Sequence, residues 1–477
     1  MDPSTFCLLL AFFSSLVCLA RSDPTVQEAL DRNAGSLKAA VIVFRHGDRS
    51  PFYTYPTDPH GEGAWPDGFG QLTKKGIRQQ YRLGQYFRRR YADFLGPNPS
   101  LKQVKLESSG MARTLQSAAA FAAGFLPPSQ NGTVWGDEQD KLAHLWQPVA
   151  IYSRKIEEGD ALFSVSTCPR WQYLKNTLDQ LPEAQFLAHR FANLTALVKE
   201  KTGMEVFNYP RSYITLHDIL YTQEQNGLAW PGWVTAAVFR DIKYMADATF
   251  HMAAGVNNRT SLERQRIRGG NMLRVIMEEL TRKANASDVN ADVKVFLYSA
   301  HDENIAALLA AMHLYDFDPS SSATLNGAPN YASSLIFDMF EDETVRISFK
   351  NERPEEDERE AQVLTHPNCS TFCPLHRLIN LTRPYFMTEA EWLKECQSSK
   401  LQPLQQTAEM ALTTKLAVGI GGLLAFSVVL LLILFCVVGY ARNMSSGRPY
   451  LFDDSRAPSR RASNVRFDKE NQTFLQK

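Results

Sequence analysis

The sequence predicts an α/β layer fold built on a mostly parallel sheet. Two apolar runs carry that reading: residues 41–44, "VIVF", and residues 293–300, "VKVFLYSA". Strands buried on both faces read as continuous apolar runs, and each of these ends abruptly in charge. The first runs into Arg45, His46, Asp48 and Arg49, the second into His301, Asp302 and Glu303. Strand-like and helix-like segments then alternate along the chain, which is the pattern of helices layered on a parallel sheet.

The elements follow in order. Residues 6–20, "FCLLLAFFSSLVCLA", read as a secretory signal, giving a leader of residues 1–22. After the first strand comes a loop rich in Gly, Pro and aromatic residues at 52–70. A helix is predicted next, capped by Thr73, with Ile77, Tyr81, Leu83, Gly84 and Phe87 at helical spacing. Residues 103–108 read as a strand and residues 114–126 as an Ala-rich helix. The middle, about 150–268, is helical in pattern and rich in Trp and Tyr. After the second apolar strand, "IAALLAAMHLY" reads as a helix, "YASSLIFDMF" and "TVRISFK" as late strands, and "NERPEEDERE" as a solvated charged loop.

Residues 416–440 form an apolar stretch without a charged residue. At ~1.5 Å per residue a helix there exceeds the roughly 30 Å of a hydrocarbon core. Arg442, Arg448, Arg456 and Arg460 follow it, against Lys400 and Lys415 before it, so the tail of residues 441–477 is expected in the cytosol. The sequence thus predicts a single-pass type I membrane protein whose residues 23–415 are lumenal or extracellular. Cys7 and Cys18 fall in the leader and Cys436 in the span. That leaves Cys168, Cys369, Cys373 and Cys396, an even number suited to two disulfides in an oxidising compartment. Glycosylation sequons begin at Asn131, Asn193, Asn258, Asn285, Asn368 and Asn380, and each marks a surface segment. With 51 Lys and Arg against 51 Asp and Glu there is no bulk field for nucleic acid, so charge recognition must be local.

In a parallel sheet, ligands bind beyond the carboxyl ends of the strands. Arg45, His46 and Arg49 follow one strand, Arg113 another, and His301 and Asp302 a third. If the three strands are neighbours, three arginines and two histidines meet in one crevice. Guanidinium forks match phosphate oxygens two at a time. A neutral imidazole among them can take a phosphoryl group, and nearby cations keep it neutral. Asp302 could protonate the leaving oxygen and then activate water.

"RHGDRSP" at residues 45–51 and "YSAHD" at residues 298–302 resemble the two signatures of the histidine acid phosphatases. The likeness extends through "GQLTKKGIRQQYRLGQYFRRRY", "GGNMLRVIMEEL", "CPR" and "CPL" to the membrane-bound lysosomal and the prostatic types. It implies an α/β three-layer sandwich with a helical cap, acid hydrolysis of phosphate monoesters, and no metal or organic cofactor. It implies His46 as nucleophile, Asp302 as proton donor, and Arg45, Arg49, Arg113 and His301 as phosphate ligands. It pairs Cys168 with Cys396 and Cys369 with Cys373, points to a lysosomal or cell-surface location, and is compatible with a homodimer. The substrate would be a small-molecule or protein phosphomonoester. The family pattern has acids where Gly110 and Ala112 stand and Thr in place of Glu303. A less firmly aimed Arg113, and a carboxylate that perturbs Asp302, are therefore expected. An alternative reading is a low-activity membrane glycoprotein that keeps the pocket for binding or adhesion; a mutase-like phosphotransferase is a third.

Overall fold

β1 (Leu37–Arg45) is apolar from Ala39 to Phe44 because helices cover both of its faces. Its side chains alternate between two cores, as strand geometry requires. Ala40, Ile42 and Phe44 pack with Leu83, Phe87, Phe121 and Phe125. Those residues belong to α1 (Lys74–Arg90) and α2 (Ala112–Phe125). Ala39, Val41 and Val43 pack on the opposite face with Leu273, Ile276, Ile305 and Leu309. The result is three layers, helix on sheet on helix.

The computed structural model describes residues 37–397, apart from 129–134, 138, 155–161, 163–167, 206, 257–260, 286–291, 316–326 and 352–359, together with residue 434. The expected leader, membrane span and tail lie outside the described residues, as do Asn131, Asn258 and most of the charged run after residue 350. Among the described residues no helix is long and apolar enough to cross a membrane. The folded body belongs to one unit that ends at Leu401.

Among the described residues eight strands make one sheet. β2 (Val104–Ser108), β3 (Tyr152–Ser153) and β4 (Val295–Ala300) join β1 in the order β3-β2-β4-β1, all parallel. Beyond β1 the sheet turns antiparallel through β5 (Ser334–Phe340), β6 (Thr344–Lys350), β7 (Gln362–Leu364) and β8 (Cys373–Pro374). The sheet is therefore mixed, which corrects the expectation of a mostly parallel one. The reason is chain length. Parallel neighbours need a crossover of a dozen or more residues. Only a tight turn separates β5 from β6, closed by the Glu343 N–H donating to the Phe340 carbonyl at 2.9 Å.

α1 is capped as expected, with Thr73 Oγ1 accepting from the Gly76 N–H. Its buried face differs from the predicted one. Leu83, Gly84 and Phe87 face inward, but Ile77 and Tyr81 are exposed, and Gln79 and Gln80 take the buried positions. Between Cys168 and Gln265 the helical cap builds its own core from residues such as Trp171, Tyr213, Leu216 and Met245. A disulfide joins Cys168 to Cys396, and a second closes Cys369 to Cys373. Asn193, Asn285, Asn368 and Asn380 are all exposed.

The two helices under β1 touch backbone to backbone. A Cβ on Gly84 would come within 2.1 Å of the Phe121 carbonyl oxygen, and one on Gly124 within 2.1 Å of the Tyr81 carbonyl oxygen. Gly84→Ala gains about 1 kcal/mol of helix propensity but must force the helices apart, at a cost of about 1–3 kcal/mol or more. A main-chain oxygen cannot rotate away, so the clash wins. Chemical denaturation is expected to show a lower midpoint for Gly84→Ala; an unchanged or raised midpoint would mean that the helices separate freely.

Candidate active site

β1 lies between β4 and β5, and β4 lies between β2 and β1. All three charged strand ends are thus neighbours, and the adjacency on which the sequence reading depended is present. Arg45 is in register with Ala300, and the His46 N–H donates to the Ala300 carbonyl at 3.1 Å. The His46 and His301 rings meet edge to face, with centroids 5.4 Å apart. Both rings are buried, as are the guanidinium-bearing residues Arg45, Arg49 and Arg113.

The loop after β1 is clamped by its neighbours. Gln80 Nε2 donates to the Arg45 carbonyl at 2.8 Å. The Gly47 N–H donates to Ser117 Oγ at 3.1 Å, and the Asp48 N–H donates to Gln79 Oε1 at 2.8 Å. These contacts explain why two glutamines occupy a buried helix face: they satisfy backbone groups that the turn leaves open. Gly47 is needed because a Cβ there would lie 2.4 Å from the Gly76 carbonyl oxygen, where the first turn of α1 closes on the loop.

His46 Nδ1 lies 2.8 Å from the Gly47 carbonyl oxygen. A carbonyl can only accept, so Nδ1 carries the hydrogen and Nε2 keeps its lone pair. Burial, then the charges of Arg113, Arg45, His301 and Arg49, hold the His46 pKa well below its ordinary value. His301 is pulled down to about 3, by burial first and Arg113 second. Its Nδ1 accepts from Arg113 Nη2 at 3.2 Å, and its Nε2 donates to Ser109 Oγ at 2.9 Å. Both rings are neutral.

The three arginines are compensated unequally. Arg45 Nη2 pairs with Asp302 Oδ2 at 2.8 Å, and Nη1 donates to the Pro329 carbonyl at 2.7 Å. Arg49 is held by both oxygens of Asp218, at 2.9 and 3.0 Å. Arg113 makes no ion pair among the described residues; burial and then Arg49 lower its pKa to about 10, against a smaller opposing pull from Asp302. With two carboxylates for three guanidiniums, the pocket carries an excess positive charge centred on Arg113. Burial would raise the Asp302 pKa, but Arg45 and Arg49 outweigh it and hold the group below the usual range. Asp302 is therefore ionised in the unliganded pocket.

All six site residues singled out in the sequence, His46, Asp302, Arg45, Arg49, Arg113 and His301, come together. Several others were not foreseen. Asp218 lies on α3 (Ser212–Gln225) of the cap. Tyr331 lies under Arg45, its ring centroid 4.0 Å from the Arg45 Cζ. Phe52 lies against Arg49 and Arg113, with its centroid 4.0 and 5.1 Å from their Cζ atoms. Ser109 and Ser117 were missed as well. Only the glutamine pair left a readable signal, two polar residues in phase with Leu83 and Gly84. Two of the three departures noted in the sequence, Glu303 and Ala112, can be placed. Glu303 pairs with Arg268 at 2.6 Å, so its charge is neutralised away from Asp302. Ala112 is exposed, and Arg113 takes its bearing from His301 and Phe52. Among the described residues no group of three or more His, Cys, Asp or Glu is placed to hold a metal ion.

The profile of the histidine phosphatase superfamily (branch 2) matches residues 36–359. The chain belongs to this superfamily. It is 33% identical to the lysosomal acid phosphatase of Bos taurus over 365 residues, covering 76% of this chain and 81% of that protein. It is 30% identical to the prostatic acid phosphatase of Homo sapiens over 377 residues, covering 78% of this chain and 91% of that protein. The fold is similar to that of the Hafnia alvei phytase solved with tartrate, with a TM-score of 0.56 at 16% identity, covering 75% of this chain and 98% of that one. It is also similar to the phytase of Citrobacter braakii, with a TM-score of 0.55 at 18% identity over 76% and 99%.

If an anion enters the pocket of this histidine phosphatase, the excess charge on Arg113 is the part it would neutralise. A hydrogen bond to a charged group contributes about 1.5–3 kcal/mol. Arg113→Gln is therefore expected to weaken inorganic phosphate binding by about 10- to 100-fold. It also removes a cation that depresses two imidazoles, so NMR titration is expected to move both His46 and His301 upward toward the ordinary histidine range. Unaltered phosphate affinity and titration would show that Arg113 does not face the anion.

Proposed function

We propose that this chain hydrolyses phosphate monoesters, of small molecules or proteins, through a covalent phosphohistidine on His46. The observation that carries the reading is the His46 Nδ1 contact to the Gly47 carbonyl, which leaves Nε2 unprotonated and directed among guanidinium groups. Arg45, Arg49, Arg113 and His301 hold the phosphate oxygens. Their charge stabilises the equatorial oxygens of a transferring phosphoryl group, which is most of what such a reaction requires. His46 Nε2 bonds to phosphorus as the ester P–O bond breaks, and the leaving oxygen takes a proton from Asp302. The Asp302 carboxylate then accepts a proton from water. The resulting oxygen nucleophile attacks phosphorus, releasing inorganic phosphate and restoring His46.

The pH dependence follows from two opposite demands. The depressed His46 pKa means that the neutral form persists as pH falls, so the nucleophile survives in acid. Asp302 is ionised in the empty site and must gain a proton when substrate binds. The incoming dianion relieves the field of Arg45 and Arg49, and a monoanionic ester brings the proton itself. Phosphate monoesters lose that proton around pH ~6. Activity is therefore expected to hold in acid and to decline as pH rises through that region.

The neutralised Glu303 and the ligated Arg113 favour turnover over a silent binding pocket. The setting we propose is a single-pass type I membrane glycoprotein: leader at residues 1–22, catalytic body at 23–415, span at 416–440 and cytosolic tail at 441–477. A lysosomal or cell-surface location suits the four exposed sequons, the two disulfides and the acid pH dependence.

The test is the first turnover on two kinds of ester. A nitrophenolate departs without help, whereas an alkoxide needs a proton. Asp302→Ala is expected to slow first-turnover alcohol release from an alkyl phosphate by about 10²- to 10⁴-fold while sparing nitrophenolate release. Equal losses would remove Asp302 from the acid role. Full activity in His46→Ala would remove His46 from the chemistry.

A further inference from the structure

Phe52 follows directly on the loop that carries Arg45, His46 and Arg49, and it has no role in the steps above. It is a large aromatic residue with 49% of its surface exposed, beside two buried arginines of the charged pocket. Its ring lies against two of the guanidiniums that hold phosphate, Arg49 and Arg113. Its placement is fixed from several sides. The Gly70 N–H donates to the Pro51 carbonyl at 2.9 Å, and the Ser50 N–H donates to the Gln71 carbonyl at 2.9 Å. The ring rests over Gly70, where a Cβ would come within 3.3 Å of its Cδ1. Next to it, Tyr53 donates to Thr215 Oγ1 on α3 at 3.3 Å, tying the loop to the cap helix that also holds Arg49.

In-line attack by His46 requires the ester oxygen to point away from Nε2, toward Asp302 and the open side of the pocket. Whatever is esterified to the phosphate therefore leaves the clamp past its rim. A ring held on two cations, with half its surface open, offers a flat apolar shelf there. Aromatic pairs in offset or edge-to-face contact gain attraction beyond the area they bury.

We propose that Phe52 is a specificity-determining residue: its open surface packs against the leaving group and favours phosphates esterified to an aromatic ring over those esterified to a short alkyl chain. The inference rests on the phosphatase reading and names the substrate class of that site. The Arg49 and Arg113 contacts give the ring a second consequence. It shields the two guanidiniums from water on one side, so an aryl group seated on it completes the exclusion.

The experiment compares kcat/KM for phenyl phosphate and glycerol 2-phosphate in the full-length protein and in Phe52→Leu and Phe52→Trp. Leu keeps an apolar side chain without a ring, and Trp keeps a ring. The aryl-over-alkyl ratio is expected to fall about three- to tenfold in Phe52→Leu and to be preserved or raised in Phe52→Trp. A role in loop stability alone would lower both substrates together and leave the ratio unchanged, which would overturn the proposal. So would a gain on both substrates in Phe52→Leu, which would make the ring a barrier. A measurement on the unmodified protein stands independently of any folding defect: phenylphosphonate is expected to compete more tightly than methylphosphonate, and equal competition contradicts the shelf. If the unmodified protein hydrolyses neither ester, the phosphatase reading itself fails; if it hydrolyses both with no dependence on Phe52, only this inference fails.

Discussion

One parallel register holds the site together. β1 and β4 pair so that Arg45 stands opposite Ala300, and the residues that continue each strand leave the sheet side by side. That single pairing sets the His46 ring against the His301 ring and brings Arg45 within 2.8 Å of Asp302. A one-residue slip would turn the alternating side chains of β1 toward the wrong core. Ile42 and Phe44 would then face the layer built for Val41 and Val43. The two helical layers thus enforce the register, and the register assembles the chemistry. This is why the strands are so uniformly apolar and their ends so abruptly charged.

The charge pattern of the pocket follows from how few carboxylates it contains. Burying a charge is costly unless it is paired. Asp302 and Asp218 offset Arg45 and Arg49, at the price of tethering each to one geometry. Among the described residues the direct partners of Arg113 are a neutral imidazole and an aromatic ring, with Asp302 acting on it without an ion pair. The pocket is therefore most strained electrostatically where a phosphate oxygen would sit, and an anion relieves that strain. Burial first and this field second depress both histidines, while for Asp302 the field overrides burial, so in the mechanism we propose the unliganded state holds a ready nucleophile and an unready acid. On that proposal substrate binding supplies what is missing and couples protonation of Asp302 to arrival of the phosphate.

Much of this was legible in the sequence because chemistry at strand ends is written in contiguous residues. The runs ending in Arg45-His46 and His301-Asp302 announce both the strand and its tip. What was illegible comes from distant segments. Asp218 meets Arg49 across 169 residues, and nothing in its own helix marks it. Tyr331 and Pro329 reach Arg45 from the segment before β5. Glu303 read as a threat to Asp302 because its partner, Arg268, could not be seen beside it. The face of α1 departs from the sequence expectation at Ile77 and Tyr81 because an apolar side chain need not be buried. Here the buried positions went to glutamines that serve the backbone of the loop. The mixed sheet follows from the tight β5–β6 turn, a length argument that the apolar pattern of those strands does not carry.

If the Gly47 carbonyl fixes the tautomer of His46, it also chooses the nucleophilic nitrogen. The most direct measurement is the site of phosphorylation within the ring. The protein would be quenched in alkali during turnover of a labelled ester, and the phosphohistidine isomer at position 46 identified by NMR. Phosphorus is expected on Nε2 of His46. Phosphorus on Nδ1, or no phosphohistidine at that position while hydrolysis proceeds, would contradict it.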